Sequence, residues 1–494
     1  KELQHIGRSL IVLEATDRIG GRATVGYIQI PGKNNPVAID YGGSWLHNIA
    51  TNPLTGIVDA LQFKRSSSEL EAGFFLGRRR ATQREKQLLL EASEAYENHI
   101  KVVAAQALAD QMRAEAYCSN ANLVDQNKIR KNEKNASYCM KLLTTLRDND
   151  LPEKFLPRNK NFAKLLGLLK ANLGPLESGA EFARSSVVDI AEFATGEDDL
   201  VQQGIGNFVK KYSENLPICL NSPVDKIHYD QSGVSVHIKN GNTFTGKNVL
   251  ITVSTGVLNH NLIKFDPELP IWKKKAFQRL PMGYLQKIII PFTADIFAKE
   301  KNNSWVLYQG PLNKKAHLIA VKQHKSLQNK KENVMAFLIK PFGLPVAIGF
   351  FGGDLAQIFE HECQRQALGS GLAQSCDAVA IDTAIETLSR MYGTDKINIT
   401  KFINRSAIHV TRWSLHPYTF GAYSVATPGH WLEHANLARP VGIEKNGEGR
   451  KRLFFAGEAC ARPIFNGSLA GAYETGLQAA RDIHHELQLE EDPK

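Results

Sequence analysis

The sequence predicts an α/β protein, α+β overall, in which the chain passes back and forth between two domains. Three observations carry this. Short apolar runs of the kind buried in parallel sheets recur at the start, middle and end of the chain: Ser9-Leu-Ile-Val-Leu-Glu14, Val249-Leu-Ile-Thr-Val253 and Leu453-Phe-Phe-Ala-Gly457. From about Glu69 to Leu176 the character changes. Leu88, Leu89, Ala92, Ala95, Tyr96, Ile100 and Val103 fall at helical spacing and mark a helical insertion. The stretches Tyr284 to Phe292 and Val334 to Ile339 read as further strands, with a helix over Ala378 to Tyr392. The expected division is 1–60, 190–262 and 425–490 for one discontinuous domain, against 61–189 and 263–424 for a second domain of mixed sheet and helices.

The elements can be justified in chain order. Lys1-Glu-Leu-Gln-His-Ile-Gly7 reads as the last turns of a helix stopped by glycine. The strand after it closes on Glu14. A helix end, a short turn and a buried strand ending in an acid form the back half of a βαβ dinucleotide-binding unit, where that carboxylate accepts hydrogen bonds from ribose hydroxyls. The front half, a first strand with a G-x-G-x-x-G turn, belongs immediately upstream, so the chain is expected to be a fragment beginning roughly 20 residues too late. Its first residue, Lys1 rather than Met, agrees with that. Farther along, Val234, Val236 and Ile238 alternate, and Lys239-Asn-Gly-Asn242 is a hairpin turn. The small-residue run Gly471 to Ile483 is a helix packed closely on its neighbours.

Composition excludes several classes. Of 494 residues, 43% are hydrophobic and 22% charged, which rules out a disordered chain, a collagen-like repeat and a coiled coil. No stretch reaches the roughly 18 apolar residues of a membrane span. The net charge of +10 is spread along the chain, without the dense basic block and interleaved aromatics of a nucleic-acid groove. Cys118, Cys139, Cys219, Cys363, Cys376 and Cys460 contain no C-x-x-C pair and are too sparse for a disulfide framework, so a reducing, cytoplasmic setting is the default expectation. No metal-ligand spacing is present.

Four segments carry the chemistry: Val12-Leu-Glu-Ala-Thr-Asp-Arg-Ile-Gly-Gly-Arg22; Asp40-Tyr-Gly-Gly-Ser-Trp-Leu-His47 with Asn52-Pro-Leu54; Thr411-Arg-Trp413 with Gly421-Ala-Tyr423-Ser424; and Leu453-Phe-Phe-Ala-Gly-Glu458 with Asn466-Gly-Ser-Leu-Ala-Gly-Ala472. In this order and at these separations they resemble the flavin-containing amine oxidase family, above all its polyamine oxidase branch, over nearly the whole chain. The resemblance implies a Rossmann-like FAD-binding domain interleaved with a substrate-binding domain. It also implies binding roles. Glu14 meets the adenosine ribose. Arg22, after two glycines, neutralises the pyrophosphate with its planar fork. Gly42, Gly43, Ser44 and Trp45 run beside the isoalloxazine. Val224, which also reads as a plain strand residue, meets the adenine. Glu458 bonds a ribitol hydroxyl, and the Leu469 N–H faces the pyrimidine end of the flavin, where negative charge develops on reduction.

Three side chains are expected at the chemistry. Lys287, in an apolar strand where a lysine otherwise snorkels to solvent, matches the lysine that holds a water at flavin N5 and assists reoxidation by oxygen; burial would lower its pKa. Trp413 packs against the flavin edge, and Tyr423 forms one wall of the aromatic sandwich that guides the amine. The other wall is tyrosine in monoamine oxidases, but Ser468 stands there, which opens the pocket and disfavours an aromatic monoamine. Ala422 replaces the cysteine that bonds flavin, so the FAD should be noncovalent. His47 matches a histidine of the polyamine oxidase tunnel; a lone histidine is otherwise a structural residue. The acids Glu192, Glu197, Asp198 and Asp199 form either a solvated loop or a negative patch that attracts polyamine cations.

The implied reaction is hydride transfer from the α-carbon of a neutral amine to flavin N5. It leaves an imine that hydrolyses to an aldehyde and a shorter amine, with hydrogen peroxide formed from oxygen. Three alternatives stand beside it. An L-amino acid oxidase needs an arginine for the substrate carboxylate, with Arg405 and Arg412 as candidates. A histone-demethylase-like enzyme needs chromatin-binding modules, of which none is visible. A non-catalytic remnant would not hold FAD.

Overall fold

The computed structural model describes residues 1–68, 73–120, 160–193, 196–323, 333–370, 377–393, 398–445 and 448–491. Much of the expected helical insertion, including Cys118 and Cys139, thus lies outside what can be described side chain by side chain. Its described part is helix Gln83–Asn120 with helix Lys160–Ala171. Ala92, Tyr96 and Ile100, four residues apart, are buried on one face against Leu169, Phe182, Val187 and Val188. Ala95 is exposed instead, because it sits about 100° around the helix from that stripe.

The parallel-strand segments from the start, middle and end of the sequence do meet. Strand Val12–Leu13 pairs in parallel with Ile218–Cys219, and Val249–Ile251 pairs in parallel with Leu453–Phe455. These are two separate sheets, however, of two and three strands. Residues 10–13 of one and 249–253 of the other line the same cavity. The expected buried strand over Ser9–Glu14 is therefore shorter and more open than its composition suggests. Only Val12 and Leu13 are paired, on one edge, and Ile11 and Val12 are 46% and 37% exposed.

A seven-stranded sheet runs in the order His409–Val410, Leu285–Pro291, Val346–Gly352, Asn333–Ile339, Ser304–Gly310, Phe74–Leu76, Arg79–Arg80. All pairings are antiparallel except Ser304–Gly310 with Phe74–Leu76. Strand Leu285–Pro291 is buried on both faces. Ile288 and Ile290 enter a core with helices Gly353–Ser370 and Ala378–Tyr392, whereas Ile289 enters the opposite core with Ile30, Leu338 and Phe350. This two-sided burial explains why the strand reads as a continuous apolar run. The expected hairpin is present, with Val234–Ile238 antiparallel to Thr243–Gly246.

No described helix is long and apolar enough to cross a membrane. Cys219 and Cys460 are free thiols, but Cys363 is disulfide-bonded, which departs from a fully reduced chain. Truncating Ile290, 0% exposed, to Ala should leave a cavity costing about 2–5 kcal/mol. The loss should read as a lower urea midpoint at unchanged slope for the transition that reports this sheet.

Candidate active site

A cavity of about 1870 Å³ runs between the parallel strands, the seven-stranded sheet and the insertion helices. Glu14, Arg22, Gly42, Gly43, Ser44, His47, Val224, Lys287, Trp413, Tyr423, Glu458, Ser468 and Leu469 all line it. Residues more than 400 positions apart in sequence thus share one chamber.

At its nucleotide-like end, Glu14 stands just past strand Val12–Leu13 and turns one carboxylate oxygen back on Thr16, accepting from the backbone N–H at 2.8 Å and the hydroxyl at 2.7 Å. The other oxygen has no partner among the described residues. Gly20 and Gly21 adopt φ of +100° and +54°, a left-handed turn that glycine makes without strain and that delivers Arg22 into the chamber. Arg22 Nη1 donates to Glu458 at 2.7 Å and to the Ala422 carbonyl at 3.0 Å. Glu458 is buried and also accepts from Ser424, at 3.1 Å from the amide and 2.7 Å from the hydroxyl. The 23-residue helix Leu469–Glu491 begins beside them, and its first turn (Leu469, Ala472) lines the cavity. Ser468 Oγ accepts from Gly471 N at 3.1 Å and donates to the Phe465 carbonyl at 2.7 Å. Ser468 is therefore a helix cap as well as a lining residue.

The loop between strands Val37–Asp40 and Trp45–Leu46 forms a second wall. A Cβ on Gly42 would lie 1.6 Å from the Arg22 carbonyl oxygen, so close backbone packing by itself requires glycine here. A Cβ on Gly43 would meet nothing within 4 Å. Here the chain does present bare backbone to open space. Lys287 reaches the same loop: its ammonium donates to the Asp40 carbonyl at 3.2 Å, to Ser44 Oγ at 2.6 Å and to the Gly42 carbonyl. These three acceptors match its three hydrogens. Trp413 is buried, and its indole N–H donates to the Tyr41 carbonyl at 3.2 Å.

The opposite end carries acids. Tyr423 donates to the Glu177 carbonyl at 2.5 Å, with its ring against Gly467, and burial pushes its phenol pKa up. Glu177 is open to the chamber yet enclosed by protein. Burial, with the charges of Glu97 and Asp198, pushes its carboxyl up to about 7. His47 Nδ1 lies 2.8 Å from Asp198 Oδ2, and Asp198 Oδ1 accepts from the Asn48 amide at 2.9 Å. Of Glu192, Glu197, Asp198 and Asp199, only Asp198 lines this cavity. Asp199 is buried against Arg65 outside it, because neighbouring residues of an extended chain point to opposite sides. Glu192 and Glu197 also lie outside. Glu97 and Glu177 take their place. Each comes from a segment without a motif, so no sequence signal found them. Arg405 and Arg412 do not line the cavity, and Arg412 is paired with Asp377.

The profile of the flavin containing amine oxidoreductase family matches residues 1–484. The chain belongs to that family. Among curated members, it is 25% identical to polyamine oxidase 4 of Oryza sativa subsp. japonica over 99% of this chain and 86% of that protein. It is 26% identical to polyamine oxidase 2 of Arabidopsis thaliana over 98% and 84%. Histone demethylase-like protein A of Aspergillus fumigatus is 29% identical over 54% of this chain, a region spanning 22% of that protein's length. The fold is shared with cyclohexylamine oxidase from Brevibacterium oxydans IH-35A (TM-score 0.64, 19% identity, 99% and 96% of the chains) and with putrescine oxidase (TM-score 0.63, 16% identity, 98% and 95%). A flavin is thus the group to be fitted to this amine oxidoreductase cavity. The free oxygen of Glu14, the open backbone at Gly43 and the helix start at Leu469 suit its polar edges.

Behind the site, His434 Nε2 lies 3.0 Å from Asp189 and its Nδ1 lies 2.7 Å from the Ala459 carbonyl, so both nitrogens act as donors. Burial lowers its pKa, but the charge and hydrogen bond of Asp189 with the Ala459 carbonyl outweigh this and raise it above 6.5. A raised folded-state value contributes stability that is full below the unfolded value and is lost as pH rises through the folded one. His434→Gln should flatten the loss of stability above pH 6.5, read from urea midpoints across a pH series. Parallel pH profiles would remove this clamp from the stability of the site.

Proposed function

We propose that this chain oxidises a polyamine or a related alkylamine, with FAD held noncovalently and oxygen as terminal acceptor. The observation that carries the reading is the wall of carboxylates, Glu97, Glu177 and Asp198, beside Tyr423 in the cavity that also gathers the flavin-family residues. Bound FAD supplies acceptance of a hydride from the substrate α-carbon and its delivery to oxygen as hydrogen peroxide.

The chain's own residues bind, orient and exclude water. Glu14 would accept from ribose hydroxyls, Arg22 and Glu458 would hold the pyrophosphate and ribitol, Val224 the adenine, and the Leu469 amide the pyrimidine edge. Among the described residues no cysteine lines the cavity, and Ala422 offers no nucleophile, which supports a noncovalent flavin. Tyr423 walls the amine on one side, Trp413 packs toward the flavin edge, and Ser468 leaves room on the other side. Ammonium groups remote from the reacting carbon are drawn to Glu177 and Asp198, which gives positioning energy without burdening the reacting nitrogen. That nitrogen must be neutral. His47, held at Nδ1 by Asp198, has Nε2 available to take its proton. An amino-acid substrate fits less well, since Arg405 and Arg412 lie elsewhere. The similarity to a histone demethylase-like protein keeps methylated lysine as a second reading of the same amine chemistry.

Spermine or spermidine added anaerobically to FAD-loaded protein should bleach the flavin absorbance, and amino acids should not. Bleaching by a methylated-lysine peptide alone would favour the second reading. Glu177→Gln should raise KM for spermine about tenfold, equivalent to about 1.4 kcal/mol, with a smaller change in kcat. In the unsubstituted protein, spermine binding should strengthen as pH rises through about 7, where Glu177 ionises, and Glu177→Gln should lose that step. A KM unchanged by the substitution would take Glu177 out of substrate recognition.

A further inference from the structure

Helix Lys160–Ala171 continues past its last α-helical residue. It runs on as a π-helical turn, Asn172–Leu176, and the Glu177 amide donates to the Asn172 carbonyl at 3.0 Å, five residues back. On an α-helix, at about 100° per residue, Asn172 and Glu177 would stand about 140° apart and could not meet. The π-helical turn brings them onto one face, where Asn172 Nδ2 donates to Glu177 Oε1 at 2.6 Å. Both residues line the cavity. Pro175, inside the turn, has no N–H to give. Its carbonyl lies against the end of strand Val346–Gly352, where a Cβ on Gly352 would be 1.7 Å away.

The same turn anchors the aromatic wall. The Glu177 carbonyl accepts from the Tyr423 hydroxyl at 2.5 Å, so one backbone position serves both the carboxyl and the ring beside it. The bond from Asn172 occupies one Glu177 oxygen. The other oxygen, and Asn172 Oδ1, have no partner among the described residues. A glutamate side chain has considerable rotamer freedom and keeps little direction unless something holds it. Here a neutral amide does so without cancelling its charge, as an arginine or lysine would. The titratable groups around the carboxyl are Glu97 from helix Gln83–Asn120, Asp198 with its partner His47, and the Tyr423 phenol.

We propose that Asn172 is a positioning residue for the substrate: set beside Glu177 by the π-helical turn, its amide fixes one carboxyl oxygen and leaves the other free for an ammonium group remote from the reacting carbon. The substrate part rests on the functional reading above. The Asn172–Glu177 pair rests only on contacts within this chain. Because Asn172 acts through Glu177, it has nothing to contribute to amine binding once that carboxyl is gone.

Carbon NMR of flavin-free protein, isotope-labelled at its glutamate side-chain carboxyls, tests the pair without any substrate. The Glu177 resonance is the one lost in Glu177→Gln. A donor to a carboxylate favours its charged form. The Glu177 midpoint, about 7 in the unsubstituted chain, should therefore rise in Asn172→Ala, which suits a helix but has no donor. The expected rise is about one pH unit, the worth of one hydrogen bond to a charged group. Asn172→Leu, closer in size, should give the same rise, and either variant suffices where the other does not fold. An unmoved midpoint would overturn the pair. Spermine kinetics of the FAD-loaded protein test the positioning. Asn172→Ala should raise KM about threefold with a smaller change in kcat, and should add nothing in a Glu177→Ala background. An equal rise in both backgrounds, or none in either, would overturn the positioning and leave the pair standing. Spermine left unoxidised by the unsubstituted protein would remove the functional reading and the substrate part with it, while the carboxyl titration still decides the pair.

Discussion

The junction of Arg22, Glu458 and Ser424 constrains the rest of the site. Glu458 is buried at the end of a strand near the C-terminal end of the sequence, and a carboxylate taken out of water must be met by donors. They come from Arg22, near the first residues of the chain, and from Ser424, just past Tyr423. Closing this triangle brings together the nucleotide-type strands, the glycine turn and the aromatic wall. Removing one partner would leave a buried charge uncompensated, a cost of about 3–5 kcal/mol. The geometry of the cavity therefore follows from a requirement of solvation as much as from apolar packing.

The two ends of the cavity are polarised differently. At one wall the positive group, Lys287, is saturated by a loop and presents that loop's backbone instead of its own charge. At the other, the carboxyl groups of Glu177 and Asp198 line the cavity, with Asp198 already orienting His47.

Much of this was legible before any coordinates. The strands Val249–Ile251, Asn333–Ile339 and Leu285–Pro291, the hairpin at Asn240–Gly241 and the helix Ala378–Tyr392 follow from local patterns of burial, and such patterns survive folding because a sheet or helix needs its apolar face covered. In three dimensions Gly42 and Lys287 have contacts that no local pattern names. Gly42 makes room for a carbonyl of Arg22, and Lys287 directs its hydrogens to a loop. A sequence shows that a glycine or a buried lysine is present, but not which atom it meets. Among the acids, the run Glu197-Asp198-Asp199 looked like one patch. The extended backbone splits it, sending Asp198 to the cavity and Asp199 to Arg65.

The amino-acid sequence by itself determined the family, the α/β organisation and a set of motif residues that line one cavity, because short motifs fix local backbone shape and chemistry wherever they occur. Only the tertiary structure decided which charges face one another. Glu97 and Glu177 join Asp198, the Asp40 and Gly42 carbonyls and the Ser44 hydroxyl receive Lys287, and His434 clamps Asp189 to the Ala459 carbonyl. These pairings depend on distances across about 20 to 250 residues of chain, and electrostatic and hydrogen-bond energies depend on distance and burial rather than on order along the sequence.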